Sequence, residues 1–133
     1  MFIDRMLNQG PMPVLEQQLN FTEARQQLLA DNIANVSTPD YQQKDLSVDT
    51  FQQQLRNRVE QQAAAPPGSV NFDDINNEVE NPNDGILFHD GNNRSMEQLM
   101  TDNAKNALMH NLVVELLRQQ YQTMNMALKG QVS

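Results

Sequence analysis

The chain has 133 residues, a formal net charge of −8, 38% hydrophobic residues and seven aromatic ones, five Phe and two Tyr, so it holds material for one small domain and not for a large core. The acidic balance leaves nothing to offset phosphate repulsion, and no basic cluster is longer than Arg56-Asn57-Arg58, so no nucleic-acid partner is expected. The absence of cysteine excludes a disulfide framework and a thiolate metal site.

In chain order, the first segment, Met1-Phe2-Ile3-Asp4-Arg5, carries neither a charged n-region before an apolar block nor a small-residue cleavage site, so a cleaved secretory signal is not expected. From Val14 to Val36 the apolar residues Leu15, Leu19, Leu29, Ile33 and Val36 keep spacings of three and four, with Thr22 and Gln26 in the two remaining stripe positions. This predicts an amphipathic helix that starts at Pro11 and Pro13, where proline is tolerated only in a first turn. Asn35 suits a left-handed C-cap, and Pro39 pushes Thr38 out of the α region, which marks the stop. The amides of Asn32 and Asn35 suit terminal carbonyls that lack helical partners.

Val48, Phe51, Leu55 and Val59 predict a shorter amphipathic helix over Ser47 to Gln62, ended by Ala63-Ala64-Ala65-Pro66-Pro67-Gly68. Residues 69–93 are acidic, rich in Asn and Asp and punctuated by Pro82, Gly85 and Gly91. They predict a loop-rich, partly disordered segment with one short strand at Ile86-Leu87-Phe88. Ser95-Met96-Glu97-Gln98 has the form of a capping box before an apolar run, and neither Pro nor Gly interrupts the chain from there to Leu128, with Gly130 as the stop. On this last helix Met100, Ala104, Ala107, Val114, Tyr121, Met124 and Leu128 share one stripe, and Leu99, Val113 and Leu117 a neighbouring one; a single partner helix cannot cover both. The stretch from Ala107 to Leu117 is broken by His110, Asn111 and Glu115, so direct membrane insertion is not expected.

The fold class expected is mainly α: two long terminal helices pairing as an antiparallel, coiled-coil hairpin, a short middle helix and a loop-rich central segment. Residues 1–41 form the N-terminal part, 42–94 the middle and 95–133 the C-terminal helix, the first and last together making one helical assembly domain. Two such helices packed only on each other barely offset their conformational entropy, so the isolated chain is expected to be marginal and to depend on neighbours.

The segment Leu29-Ala30-Asp31-Asn32-Ile33-Ala34-Asn35-Val36-Ser37-Thr38-Pro39-Asp40-Tyr41 resembles the N-terminal signature of the flagellar rod and hook axial proteins, L-A-x-N-I-A-N-x-x-T-P-G-Y. It agrees at Asn32, Ile33, Ala34, Asn35, Thr38, Pro39 and Tyr41, and departs at Asp40, where the family usually has Gly; Asp tolerates a positive φ better than most residues. Asp90-Gly91-Asn92-Asn93, Ala104-Lys105-Asn106-Ala107-Leu108, and Glu115-Leu116-Leu117 through Leu128-Lys129-Gly130 look like the short proximal-rod members, with Arg94 replacing an apolar residue often found after the Asn pair. The likeness covers both ends well and residues 61–89 hardly at all.

The resemblance implies a structural subunit of the proximal rod of the bacterial flagellar basal body. Such subunits leave through the flagellar type III export apparatus without a cleaved signal, self-associate through their terminal helices, and form a periplasmic shaft that transmits torque. Partners implied are other rod subunits, the basal-body ring and adaptor proteins, and the export apparatus. The assembly interface expected on the two helices comprises Leu15, Leu19, Leu29, Ile33, Leu99, Val113, Val114, Leu117, Tyr121, Met124 and Leu128. Another rod or hook subunit shares the N-terminal signature, whereas a cytosolic coiled-coil adaptor or export chaperone would explain acidic helices but not Asn-Ile-Ala-Asn with Thr-Pro. No catalytic residue and no cofactor are expected: His89 and His110 lack ligand spacing, the carboxylates around Gly85 and Gly91 miss the offsets of a calcium loop, and no phosphate loop or nucleophile elbow is present.

Overall fold

Proline sets the first boundary. The carbonyl of Pro11 accepts the first helical bond, from the Leu15 N–H at 2.9 Å, and Pro13 sits in the first turn, where its missing N–H has no partner to lose. Helix α1 therefore runs Met12–Ala34, two residues earlier at each end than the spacing of apolar residues predicts. The computed structural model describes residues 10–66, 68–72, 75, 79–80 and 95–132. After α1 come β1 (Asp45–Leu46), α2 (Val48–Ala64), β2 (Val79–Glu80) and α3 (Met96–Val132). The two strands pair antiparallel, Asp45 opposite Glu80 and Leu46 opposite Val79. This ladder was not foreseen, and the strand expected at Ile86-Leu87-Phe88 lies outside the described residues.

Helix α1 is covered on two sides. Toward α3 it turns Met12 and Leu15, which cluster with Val113 and Leu117, with Leu19 and Met124 packed against them. Toward the other side it turns Phe21, which stacks on Phe51 of α2 with ring centroids 4.1 Å apart and planes 13° from parallel. Leu46, Leu55 and Phe72 complete that second cluster, and Val14, Leu28, Val48, Val70 and Ile75 flank it. The long helices α1 and α3 are in contact along much of α1: Met12 and Leu15 lie by Val113 and Leu117, Thr22 by Asn106 and His110, and Gln26 by Asn103 and Asn106.

The local stops show how sequence signals meet their context. Ser47 caps α2, its Oγ accepting the Thr50 N–H at 3.2 Å, and the helix continues past Gln62 through Ala63 and Ala64 until Ala65, held extended before Pro66, ends it. Ser95 caps α3 in the same way, accepting the Gln98 N–H at 3.2 Å. Gly130, expected as the stop of α3, lies inside the helix, which extends to Val132. A single glycine lowers helix propensity by about 1 kcal/mol but imposes no turn unless the chain has somewhere else to go. Asn35 likewise is not left-handed (φ −106°, ψ 13°); the positive φ falls five residues later, at Asp40 (φ 61°). Among the described residues no helix is long and apolar enough to cross a membrane, and no group of three or more His, Asp and Glu side chains gathers as a metal site would require.

Candidate functional site: the signature turn and an uncovered helix

The residues that carry the signature build the turn at the end of α1. Asn32 is fully buried, and its side chain acts as a surrogate peptide: Nδ2 donates to the Lys44 carbonyl at 2.7 Å, while Oδ1 accepts the Lys44 N–H at 3.1 Å. One amide thus satisfies both backbone groups of the returning chain, as a neighbouring strand would. Asn35 closes the helix instead. Its Nδ2 donates to the Asp31 carbonyl at 2.8 Å, its own N–H donates to the same carbonyl at 3.0 Å, and its Oδ1 accepts the Thr38 hydroxyl at 3.2 Å. The Tyr41 N–H then donates to the Thr38 carbonyl at 3.3 Å across Pro39 and Asp40. Proline at the second position and a positive φ at the third match a type II turn, which explains why glycine would suit position 40. Ile33 and Tyr41 are half-buried, and Ala34, Thr38 and Pro39 are exposed, so these residues shape the corner without forming a pocket.

A second long-range bond ties the returning chain to α1. Arg25 donates to Asp45 in a two-pronged ion pair, Nε to Oδ1 at 2.9 Å and Nη2 to Oδ2 at 3.0 Å, and Oδ1 also accepts the Leu46 N–H at 2.7 Å. The hydrogen bond to Asp45 raises the Arg25 pKa above its ordinary value, against the lowering effect of burial. Nothing in the local sequence pattern points to this pair, because its partners lie 20 residues apart on different elements.

Helix α3 is the opposite case: a long element with only one covered face. Among the described residues eleven large apolar side chains remain exposed, and all except Val59 belong to α3. Leu108 is 70% exposed and Leu112 54%; with Leu116 they repeat at four-residue spacing on the side away from Val113 and Leu117. Met100, Val114, Tyr121 and Leu128 form a second uncovered flank. The charged side chains near this run, Glu115 and Arg118, pair with each other at 2.8 Å and are exposed. A shallow groove of about 360 Å³ lies between α1 and α3, lined by Glu23, Gln26, Gln27, Ala30, Ala107, His110 and Asn111.

Over 123 residues, 91% of this chain and 95% of the relative, the sequence is 27% identical to the flagellar basal body rod protein FlgB of Bacillus subtilis (strain 168). The chain is similar to this FlgB over nearly its whole length. No family model matches it.

The residues expected at an assembly interface divide into two groups. Leu15, Leu29, Leu99, Val113 and Leu117 are buried and Leu19, Ile33 and Met124 half-buried. Of these, Leu15, Leu19, Val113, Leu117 and Met124 come together with Met12 in the cluster between the chain's own α1 and α3. Val114, Tyr121 and Leu128 are exposed. Sequence reasoning omitted Leu108, Leu112, Leu116 and Met126, which are exposed as well. The signal for the three leucines was the apolar run from Ala107 to Leu117, denser than any single helical stripe. Reasoning from apolar periodicity also passed over Asn103, Asn106 and His110, which the fold seats against Thr22 and Gln26 of α1.

Proposed function

We propose that this chain is a structural subunit of the proximal rod of the flagellar basal body, which assembles through its terminal helices. The observation that carries the reading is the uncovered apolar surface of α3 in a relative of a basal-body rod protein. Ten exposed large apolar side chains on one helix, in a chain with a net charge of −8 and a mean hydropathy of −0.66, are costly to leave in water and favour burial against neighbours. In this reading α1 and α3 pair as an antiparallel coiled-coil hairpin. The leucines at 108, 112 and 116 and the flank of Val114, Tyr121 and Leu128 seat against adjacent subunits. Helices of 23 and 37 residues, about 35 and 55 Å long, give each subunit extended contact lines, the geometry a shaft needs to pass torque without sliding.

The turn at Asn32–Tyr41 directs the chain out of the helical tube, with the middle of the chain on its outer side. The subunit is structural and has no catalytic centre. It leaves the cytosol through the flagellar type III export apparatus and meets other rod subunits and the ring and adaptor proteins in the periplasmic part of the basal body. The test is complementation: a strain lacking the gene should be non-motile and should regain swimming with the intact chain, and the tagged protein should sediment with isolated basal bodies. Retention of the tagged chain in the soluble fraction would point to an adaptor or export chaperone and against a rod subunit, and normal swimming of the deletion strain would overturn the rod reading as well.

A further inference from the structure

We propose that the part-buried polar layer formed by Thr22 and Gln26 of α1 with Asn103, Asn106 and His110 of α3 sets the register in which the two helices pair. This inference is independent of the rod reading, since it concerns one chain.

The layer uses its donors without redundancy. Asn106 spends both amide hydrogens, Nδ2 donating to the Thr22 carbonyl at 2.9 Å and to Gln26 Oε1 at 2.8 Å. Gln26 Nε2 in turn donates to Asn103 Oδ1. The Thr22 hydroxyl has one hydrogen and donates it to the Leu19 carbonyl at 3.0 Å, so the 3.0 Å contact with His110 Nδ1 requires that nitrogen to carry the proton and donate to Thr22 Oγ1. Thr22 and Asn106 are buried, and Gln26, Asn103 and His110 are half-buried.

The rows on either side of the layer cannot choose a register. On α1 the contact positions Met12, Leu15, Leu19, Thr22, Gln26 and Leu29 alternate in threes and fours. On α3 Leu99, Asn103, Asn106, His110, Val113 and Leu117 do the same. Both rows therefore repeat every seven residues, and a slide of one heptad restores the same packing geometry. With apolar side chains throughout, the neighbouring registers would be close in energy. The polar residues remove that degeneracy. Sliding α3 one heptad in one sense sets Thr22 against Val113 and Leu117; in the other it sets Asn106 and His110 against Leu15. Either slide buries amides and a hydroxyl without partners, a loss that apolar contacts cannot return. The connection through residues 65–95 is long enough that chain length alone would not forbid the slide.

The chain has no cysteine, so spin labels can be placed at will, at the exposed positions Asn20 of α1 and Gln119 of α3. The intact full-length chain should give one narrow interspin distance distribution. In Thr22→Val/Gln26→Leu/Asn103→Leu/Asn106→Leu/His110→Leu the helical content should persist while a second population appears. A variant that moves the layer, Asn103→Leu/Asn106→Leu/His110→Asn/Val113→Asn/Leu117→His, should shift the main population. The axial offset of the labels then falls by about 10 Å, seven residues of helix. An unchanged single distribution in the apolar variant, or an unmoved main population in the transplanted one, overturns the proposal. Loss of helix in both overturns it too, because the layer would then be needed to fold at all and would not be choosing between registers.

Discussion

Replacing Leu112 by Asp separates assembly from folding, and comparison with Leu117→Asp measures the separation. Leu112 is 54% exposed on the uncovered side of α3, whereas Leu117 is 7% exposed among Met12, Leu15 and Val113. In the free subunit the carboxylate introduced by Leu112→Asp stays in water, and the change should stay within about 0.5 kcal/mol. In an assembled contact the same change forfeits the remaining burial of a leucine, about 1 kcal/mol, and buries an unpaired charge at about 3 kcal/mol or more. The sum, about 4 kcal/mol, weakens each contact by roughly a thousandfold. Leu117→Asp instead strikes the subunit's own core, where loss of a buried leucine costs about 2–5 kcal/mol before the charge is counted, comparable with the whole stability of a small domain. Circular dichroism melts of both purified variants, with motility and basal-body isolation from cells producing them, give the readout. Leu112→Asp should melt like the parent yet build no rod; Leu117→Asp should lose helix in solution. Glu115→Gln, at an exposed position paired only to its helical neighbour Arg118, is the control and should be silent. Normal rods and swimming with Leu112→Asp would show that the uncovered face of α3 is not the interface.

Asn32→Ala should destabilise the chain by about 2–3 kcal/mol, because it strands both backbone groups of Lys44. Amide exchange at Lys44 should accelerate by roughly 30- to 100-fold, and unchanged protection would contradict the clamp. Asp40→Gly should raise the urea midpoint by an amount equivalent to about 0.5 kcal/mol, the relief of a left-handed φ less the added freedom of glycine in the unfolded chain, and Asp40→Ala should lower it. Arg25→Met should cost about 3–5 kcal/mol by taking the two-pronged partner from the buried Asp45, and Arg25→Met/Asp45→Leu should recover most of that. Because the Arg25 pKa is raised, its contribution is full below the unfolded value and is lost only as pH climbs through the higher folded one, so the cation's side of this pair adds no pH dependence near neutrality.

Spacing along the chain was enough to predict the three helices of the described residues and roughly where they lie. Prolines, Ser47 and Ser95 act within one turn of themselves, and a periodic apolar face needs no knowledge of its partner. The likeness of residues 29–41 to an axial-protein signature was legible for the same reason, since the turn it encodes closes over a dozen residues. Stops set by weak propensity were less secure: Gly130 continues its helix, and the positive φ expected at Asn35 sits at Asp40. What only the tertiary structure decided is which apolar stripe of α3 is spent inside the subunit. Leu99, Val113 and Leu117 go beneath other parts of the chain, while Leu108, Leu112 and Val114 stay outside. Periodicity ranks these residues alike, because it counts hydrophobicity along one helix and carries no information about the other. That choice is made by long-range pairs, Asn106 to Thr22 across 84 residues and Gln26 to Asn103 across 77, whose energies depend on three-dimensional geometry that no local window contains.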